Sequence, residues 1–178
     1  MRSPRDAVNP VRPLGAKRGP PERFASRLRR ARILRRAKGD AQIDRSARIG
    51  AKVHVEVDRG ARLIVEPGCS LGDHVRIFVR AGTVELRAGA SLRERSSVVG
   101  VDHVLIGERV DVGERAAIID LEPGLADVEA PLRQQAVLAR GIEIGAGALI
   151  APAAVVETGA RVPERGRLAA GDALAQAR

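Results

Sequence analysis

Ile106-Gly107-Glu108-Arg109-Val110-Asp111-Val112-Gly113-Glu114-Arg115-Ala116-Ala117-Ile118 states one six-residue phrase twice. An aliphatic residue is followed by Gly, and a small or β-branched residue stands two positions before the next aliphatic. Working outward from this stretch, aliphatics recur at Ile43, Ile49, Val57, Val65, Leu71, Ile77, Leu86, Leu92 and Val98 on one side. On the other side they resume at Ile144, Ile150, Val156, Val162 and Leu168. The smaller partner returns as Ala47, Cys69, Val75, Ala90, Ser96, Ala148, Ala154, Ala160 and Gly166, and Gly also follows Ile49, Leu71 and Ile144. A period of this kind marks a chain that turns a corner every six residues. The aliphatic points inward on each flat side, the small residue lets the corner close, and Gly is expected to supply the positive φ of a tight turn. Steps of eight or nine at Ile49 to Val57, Val57 to Val65, Ile77 to Leu86 and Val98 to Ile106 set a coil of about twenty residues. The expected fold is mainly β, a parallel solenoid whose successive coils stack about 4.8 Å apart.

Composition agrees with a narrow, regular core. Aromatic residues make up 1% of the 178-residue chain, as Phe24 and Phe78 alone. Each buried aliphatic contributes on the order of 1.5 to 3 kcal/mol, so a column of them holds coils together without large fillers. The formal charge of +9 is concentrated, because residues 1–40 hold 13 Lys/Arg and 3 Asp/Glu. The repeat region is left close to neutral, and its ligand is not indicated by overall charge. Cys69 is the only cysteine, which excludes an intrachain disulfide, fits a cytoplasmic address, and places the thiol in a small-residue slot of the repeat. No apolar run approaches the ~18 residues of a membrane span.

Residues 1–20 carry four of the ten prolines with no apolar period and read as a disordered basic tail. Residues 21–38 read as a basic amphipathic helix in which Phe24, Leu28 and Ala31 follow i, i+4, i+7 spacing. Three roles are open to it: a cap on the open end of the solenoid, peripheral contact with the inner face of a membrane, or contact with nucleic acid. The last is not expected, because no stacking aromatics accompany the charge.

Over residues 41–176 the phrase [Leu/Ile/Val]-Gly-x-x-[small]-x resembles the hexapeptide-repeat acyltransferases, and the break in the repeat between Ile119 and Gly145 resembles the acceptor loop of their small sugar O-acetyltransferases. In that loop Asp120-Leu121-Glu122 stands for Asp-Phe-Asp, Asp127 for a later Asp, and Pro131-Leu132-Arg133-Gln134-Gln135-Ala136-Val137 for Pro-Ile-Arg-x-Gln-x-Val. Gly141 to Gly145 then re-enters the repeat. The resemblance implies a left-handed parallel β-helix with the loop at 120–143, a homotrimer, acetyl-CoA as acyl donor, and a sugar-type hydroxyl or amine as acceptor.

The residue standing for the family's catalytic histidine is Pro123. A hydroxyl needs a positioned base, worth roughly 10²- to 10⁴-fold. The twenty-residue beat is expected to put His103 one coil directly beneath Pro123, as the substitute base, with Glu122 as a second candidate and Asp120 as its positioning acid. The plain alternatives are a corner histidine, a solvated loop acid and a turn cap. Arg133, Gln135 and Asp127 are the expected acceptor-binding residues, Arg133 having an ion pair with Asp127 or Glu129 as its alternative. Leu149, Ala151, Arg161 and Arg167 are expected to meet the pantetheine arm and phosphates of the donor, or else to be solvated. Of the three histidines, His54, His74 and His103, the last two fall at corners preceding different faces, and no further Cys/His cluster exists, so no metal is expected. A second reading, that of a non-catalytic trimeric binding or assembly module, is favoured by Pro123 and by Leu149, where the family has Trp.

Overall fold

A computed structural model describes residues 22–123 and 137–174. The expected disordered tail lies outside those residues. With strands numbered along the chain, three parallel six-stranded sheets form the sides of a solenoid. The first side is β1 (Asp40–Ile43), β4 (Arg62–Val65), β7 (Thr83–Leu86), β10 (His103–Ile106), β15 (Ile142–Ile144) and β18 (Arg161–Val162). The second is β2 (Arg48–Ile49), β5 (Ser70–Leu71), β8 (Ser91–Leu92), β11 (Asp111–Val112), β16 (Leu149–Ile150) and β19 (Arg167–Leu168). The third is β3 (His54–Val57), β6 (Arg76–Val79), β9 (Ser97–Gly100), β12 (Ala117–Ile119), β17 (Val155–Glu157) and β20 (Ala173–Leu174). The chain visits the sides in that order six times, so the protein is a parallel β-solenoid of six coils.

All seventeen phased aliphatics are buried, forming columns inside the solenoid. Column two, Ile49, Leu71, Leu92, Val112, Ile150 and Leu168, runs its full length in register. The hexapeptide phase misses a second inward position in the longer strands. Leu63, Val79, Val84, Val104 and Ile142 are also fully buried, because in a four-residue strand side chains alternate and two of them face inward. Val57 is such a second position. It stacks on Val79, while Val55 stacks on Ile77, so the six-residue step holds from Ile49 to Val55. The longer steps therefore all fall at one corner, between the third side and the first.

The glycines that follow the aliphatics have a different reason from the expected one. Positive φ falls three residues after the aliphatic, for instance at Arg109, Arg115 and Gly60. Gly107 and Gly113 are glycine because the next coil passes against them: a Cβ on Gly107 would lie 2.6 Å from the Ile144 carbonyl oxygen, and one on Gly113 2.5 Å from the Pro152 nitrogen. At coil spacing the backbone itself fills the side-chain volume.

Helix α1 (Glu22–Arg36) covers the first coil. An end coil carries unpaired backbone groups, and the helix meets them. Ile49 N donates to Ser26 Oγ at 2.9 Å, and Arg29 and Arg30 donate to the carbonyls of Ile49 (2.8 Å) and Ile43 (3.2 Å). Ile33 is buried beside them. The face that docks is therefore Ser26, Arg29, Arg30 and Ile33, at i, i+3, i+4, i+7. The apolar set read from the sequence lies on the other side, with Phe24 53% and Leu28 58% exposed.

Candidate functional site

From Ile118 the chain reaches the third corner and does not cross to the first side at once. After Asp120 it leaves as a two-stranded antiparallel hairpin, β13 (Leu121–Pro123) and β14 (Val137–Ala139), and returns at Arg140. The feet of this excursion are fixed by two buried polar residues. Asp120 is fully buried, and its carboxylate accepts the N–H groups of Val101 (2.7 Å) and Asp102 (2.8 Å), closing the corner of the coil below. Burial pushes this carboxyl above its ordinary range, although those two N–H donors pull the other way. Thr158 Oγ1, from the coil above, accepts Arg140 N at 2.8 Å and lies 3.1 Å from the carbonyl oxygens of both Asp120 and Arg140. One hydroxyl thus spans both feet of the hairpin. Sequence reasoning missed Thr158, which carries no motif and lies 38 residues from Asp120.

His103 opens β10 beside this corner and is half-buried. The register corrects its expected place. Val104 pairs with Ile142, so the residue above His103 is Gly141, at the returning foot, and Pro123 is out on the hairpin opposite Val137. The insertion displaces Pro123 from the twenty-residue beat. Gly141 leaves the histidine's ladder neighbour without a side chain, and a Cβ there would stand 3.5 Å from His103 Cβ. Glu122 is exposed on β13, paired with Leu138. The corner therefore gathers His103, Asp102, Asp120 and Thr158, with Glu122 on the hairpin above. Asp127, Glu129, Arg133 and Gln135 lie outside the described residues.

A second feature occupies the outer surface of side two and its corner with side three. It is a cleft of about 660 Å³ lined by Arg93, Asp111, Leu149, Ala151, Pro152 and Arg167, among others. Register makes it, since Asp111, Leu149 and Arg167 stack in consecutive coils on the outward face. Leu149 is 39% exposed and, with Ala151, gives the cleft an apolar floor. Arg93 holds Asp111 through two nitrogens, at 2.8 and 2.6 Å, whereas Arg167 makes no ion pair among the described residues. Of the four expected donor-binding residues, the structure brings Leu149, Ala151 and Arg167 together. Arg161 is separated from them: it lies on side one, with Nη2 3.8 Å from Glu143. The two features occupy different corners of the solenoid. Among the described residues the cleft lining includes no histidine.

Among the described residues no three His, Cys, Asp or Glu converge as a metal-ligand group, and no helix is long and apolar enough to cross a membrane. Cys69 is buried and donates to the Arg87 carbonyl at 3.1 Å. Burial pushes its thiol up, away from the reactive thiolate.

Fold and surface together define a hexapeptide-repeat parallel β-solenoid with an outgrown hairpin at one corner and an apolar, arginine-edged cleft at another. No family model and no curated protein matches the chain. Among solved structures it is distantly similar to a hexapeptide transferase family protein from Anaplasma phagocytophilum, at 15% identity over 78% of this chain and 72% of that one, with a TM-score of 0.30. It is also similar to a mutant of GDP-perosamine N-acetyl transferase from Caulobacter crescentus in complex with CoA and GDP-perosamine, at 18% identity and a TM-score of 0.28. That likeness covers 81% of this chain and 60% of the other.

Proposed function

We propose that the protein is an acyltransferase that moves an acetyl group from acetyl-CoA to a hydroxyl or amine of a sugar-type acceptor, acting in the cytoplasm as a homotrimer. The observation that carries this reading is the cleft on side two. An apolar floor of Leu149 and Ala151 suits a pantetheine arm, and the Arg167 guanidinium, which makes no ion pair among the described residues, suits a phosphate. The loop motif between Asp120 and Val137 supports the acceptor half.

In this reading the acceptor O–H or N–H gives its proton to His103 as its lone pair attacks the thioester carbonyl. The tetrahedral intermediate then collapses with cleavage of the C–S bond, and the imidazolium returns the proton to the departing thiolate. Because Asp120 is spent on the N–H groups of Val101 and Asp102, it holds the corner that carries His103 rather than touching the reacting atoms. Donor cleft and base corner lie on different corners of one chain, which favours a site shared between subunits. A homotrimer supplies three such junctions.

The test is release of free thiol and transfer of acetyl from acetyl-CoA by the purified protein, wild type against His103→Ala. Turnover reduced by roughly 10²-fold or more in the variant, with acetyl-CoA still bound, is the expected result. A wild type that neither binds nor turns over acetyl-CoA overturns the enzyme reading. Equal activity in both overturns only the assignment of His103. A second reading, that of a trimeric binding or assembly module without catalysis, is favoured by Pro123 where the resembling loop has its base, and failure of acetyl-CoA binding selects it.

A further inference from the structure

Helix α1 caps the first coil with one face and leaves the opposite face outward. Its docking needs are met by Ser26, Arg29, Arg30 and Ile33. On the opposite side Phe24, Leu28 and Ala31 form an exposed apolar ridge. At 100° per residue, Arg27 flanks this ridge on one edge and Arg32 on the other, with Arg35 one turn beyond Ala31. All three arginines are exposed, and none makes an ion pair among the described residues. Arg27 also lines a groove of about 780 Å³ shared by the helix and the first two coils, together with Arg45 and Arg48, which are likewise exposed and unpaired there.

We infer that the outward face of α1 and the adjoining Arg27, Arg45 and Arg48 groove form a docking surface for an anionic lipid bilayer, with the Phe24/Leu28 ridge entering the headgroup boundary and the arginines meeting lipid phosphates. Charge complementarity and layering carry this. A helix that lies in a membrane interface needs an apolar strip bordered by cations, and the first coil holds this one with its strip outward. Nucleic acid would use the arginines and leave the ridge unsatisfied. The solenoid end would then face the membrane, an arrangement independent of whether the cleft on side two binds acetyl-CoA.

The chain contains no Trp, so Phe24→Trp provides a single reporter. Full-length protein is mixed with phosphatidylcholine vesicles, with the same vesicles containing phosphatidylserine, and with single-stranded RNA. The expected result is co-sedimentation with the anionic vesicles only, weakened by salt, with a blue shift of the emission from the introduced indole. Phe24→Ala/Leu28→Ala and Arg27→Gln/Arg32→Gln/Arg35→Gln should each lower partitioning at least ~10-fold, with an unchanged melting midpoint because these side chains are exposed. The inference is overturned by three results: no binding to anionic vesicles; binding without a blue shift and indifferent to the ridge substitutions; or a change of oligomeric state in the ridge variant without lipid, which would make the ridge a subunit contact. Equally tight RNA binding by wild type and ridge variant, with no vesicle binding, transfers the surface to nucleic acid.

Discussion

The corner residues show how a solenoid tolerates conformations that side chains normally avoid. Lys52, His74, Arg95, Arg109, Arg115, Ala153 and Arg165 all have φ between 53° and 60°, each three residues after an inward aliphatic. A left-handed residue costs roughly 1 to 2 kcal/mol. At these corners it also aims its own N–H at the preceding coil: Arg109 N reaches Ala88 O at 3.0 Å, Arg115 N reaches Glu94 O at 3.0 Å, and Ala153 N reaches Glu114 O at 2.8 Å. A backbone bond between coils thus offsets the strain. The adjacent glycines answer a steric demand instead, and the two kinds of position respond differently to substitution. Gly107→Ala drives a Cβ into the Ile144 carbonyl and should destabilise by about 1 to 3 kcal/mol. Arg115→Gly keeps the inter-coil bond and relieves strain, but it adds unfolded-state entropy, so its effect should lie within about 1 kcal/mol of zero. Urea midpoints for the pair measure the contrast. Asp120 gives a pH-dependent case. Its carboxyl is raised above the unfolded value of 3.8, so the folded state holds its proton more tightly, and its contribution is full below about 3.8 and falls as pH rises through the raised value. Removing it in Asp120→Ala strands two N–H donors at about 1 to 3 kcal/mol each. The loss relative to wild type should be larger near pH 4 than at pH 7, by denaturation at both; a loss that grows with pH would contradict the sign.

At the scale of elements, three local decisions matter. The four-residue strands on sides one and three contribute two inward residues each, whereas the two-residue strands on side two contribute one, which makes the section unequal and sets the beat of the repeat. The hairpin of β13 and β14 is an excursion pinned from above and below, by Thr158 and by the Asp120 corner. Helix α1 is joined to the solenoid through hydrogen bonds to backbone groups of the first coil and through buried Ile33, with Leu34 partly buried against the same core. Ile33→Ala should therefore destabilise by about 2 to 5 kcal/mol and expose the edge of β2. Faster amide exchange at Ile49, whose N–H is held by Ser26, would report this locally; unchanged exchange there would mean that Ile33 is not what holds the helix in place.

For the whole molecule, the proposed shared site makes a prediction that no single-chain effect mimics. His103→Ala and Arg167→Ala lie on different corners, so each variant alone should be impaired, while subunits mixed by denaturation and refolding should recover part of the activity at junctions that combine an intact His103 with an intact Arg167. Activity that stays at the level of the separate variants would place both residues in one protomer's site or in none.

How much of this was legible beforehand depends on how local its cause is. The sequence by itself determined the solenoid, its buried columns and the existence of the outgrown loop, because a corner every six residues is made by neighbours in the chain and repeats the same inward phase from Ile43 to Leu168. Leu149, Ala151 and Arg167, named together with Arg161 from the resemblance, line one cleft. Only the tertiary structure decided that His103 stacks under Gly141, that Thr158 holds both feet of the hairpin, that Arg161 lies on another side, and that α1 turns Phe24 and Leu28 outward. Each of these depends on which distant backbone comes alongside: the length of an insertion, the register across a coil, or the unpaired edge that a helix finds. A six-residue period carries no information about any of them.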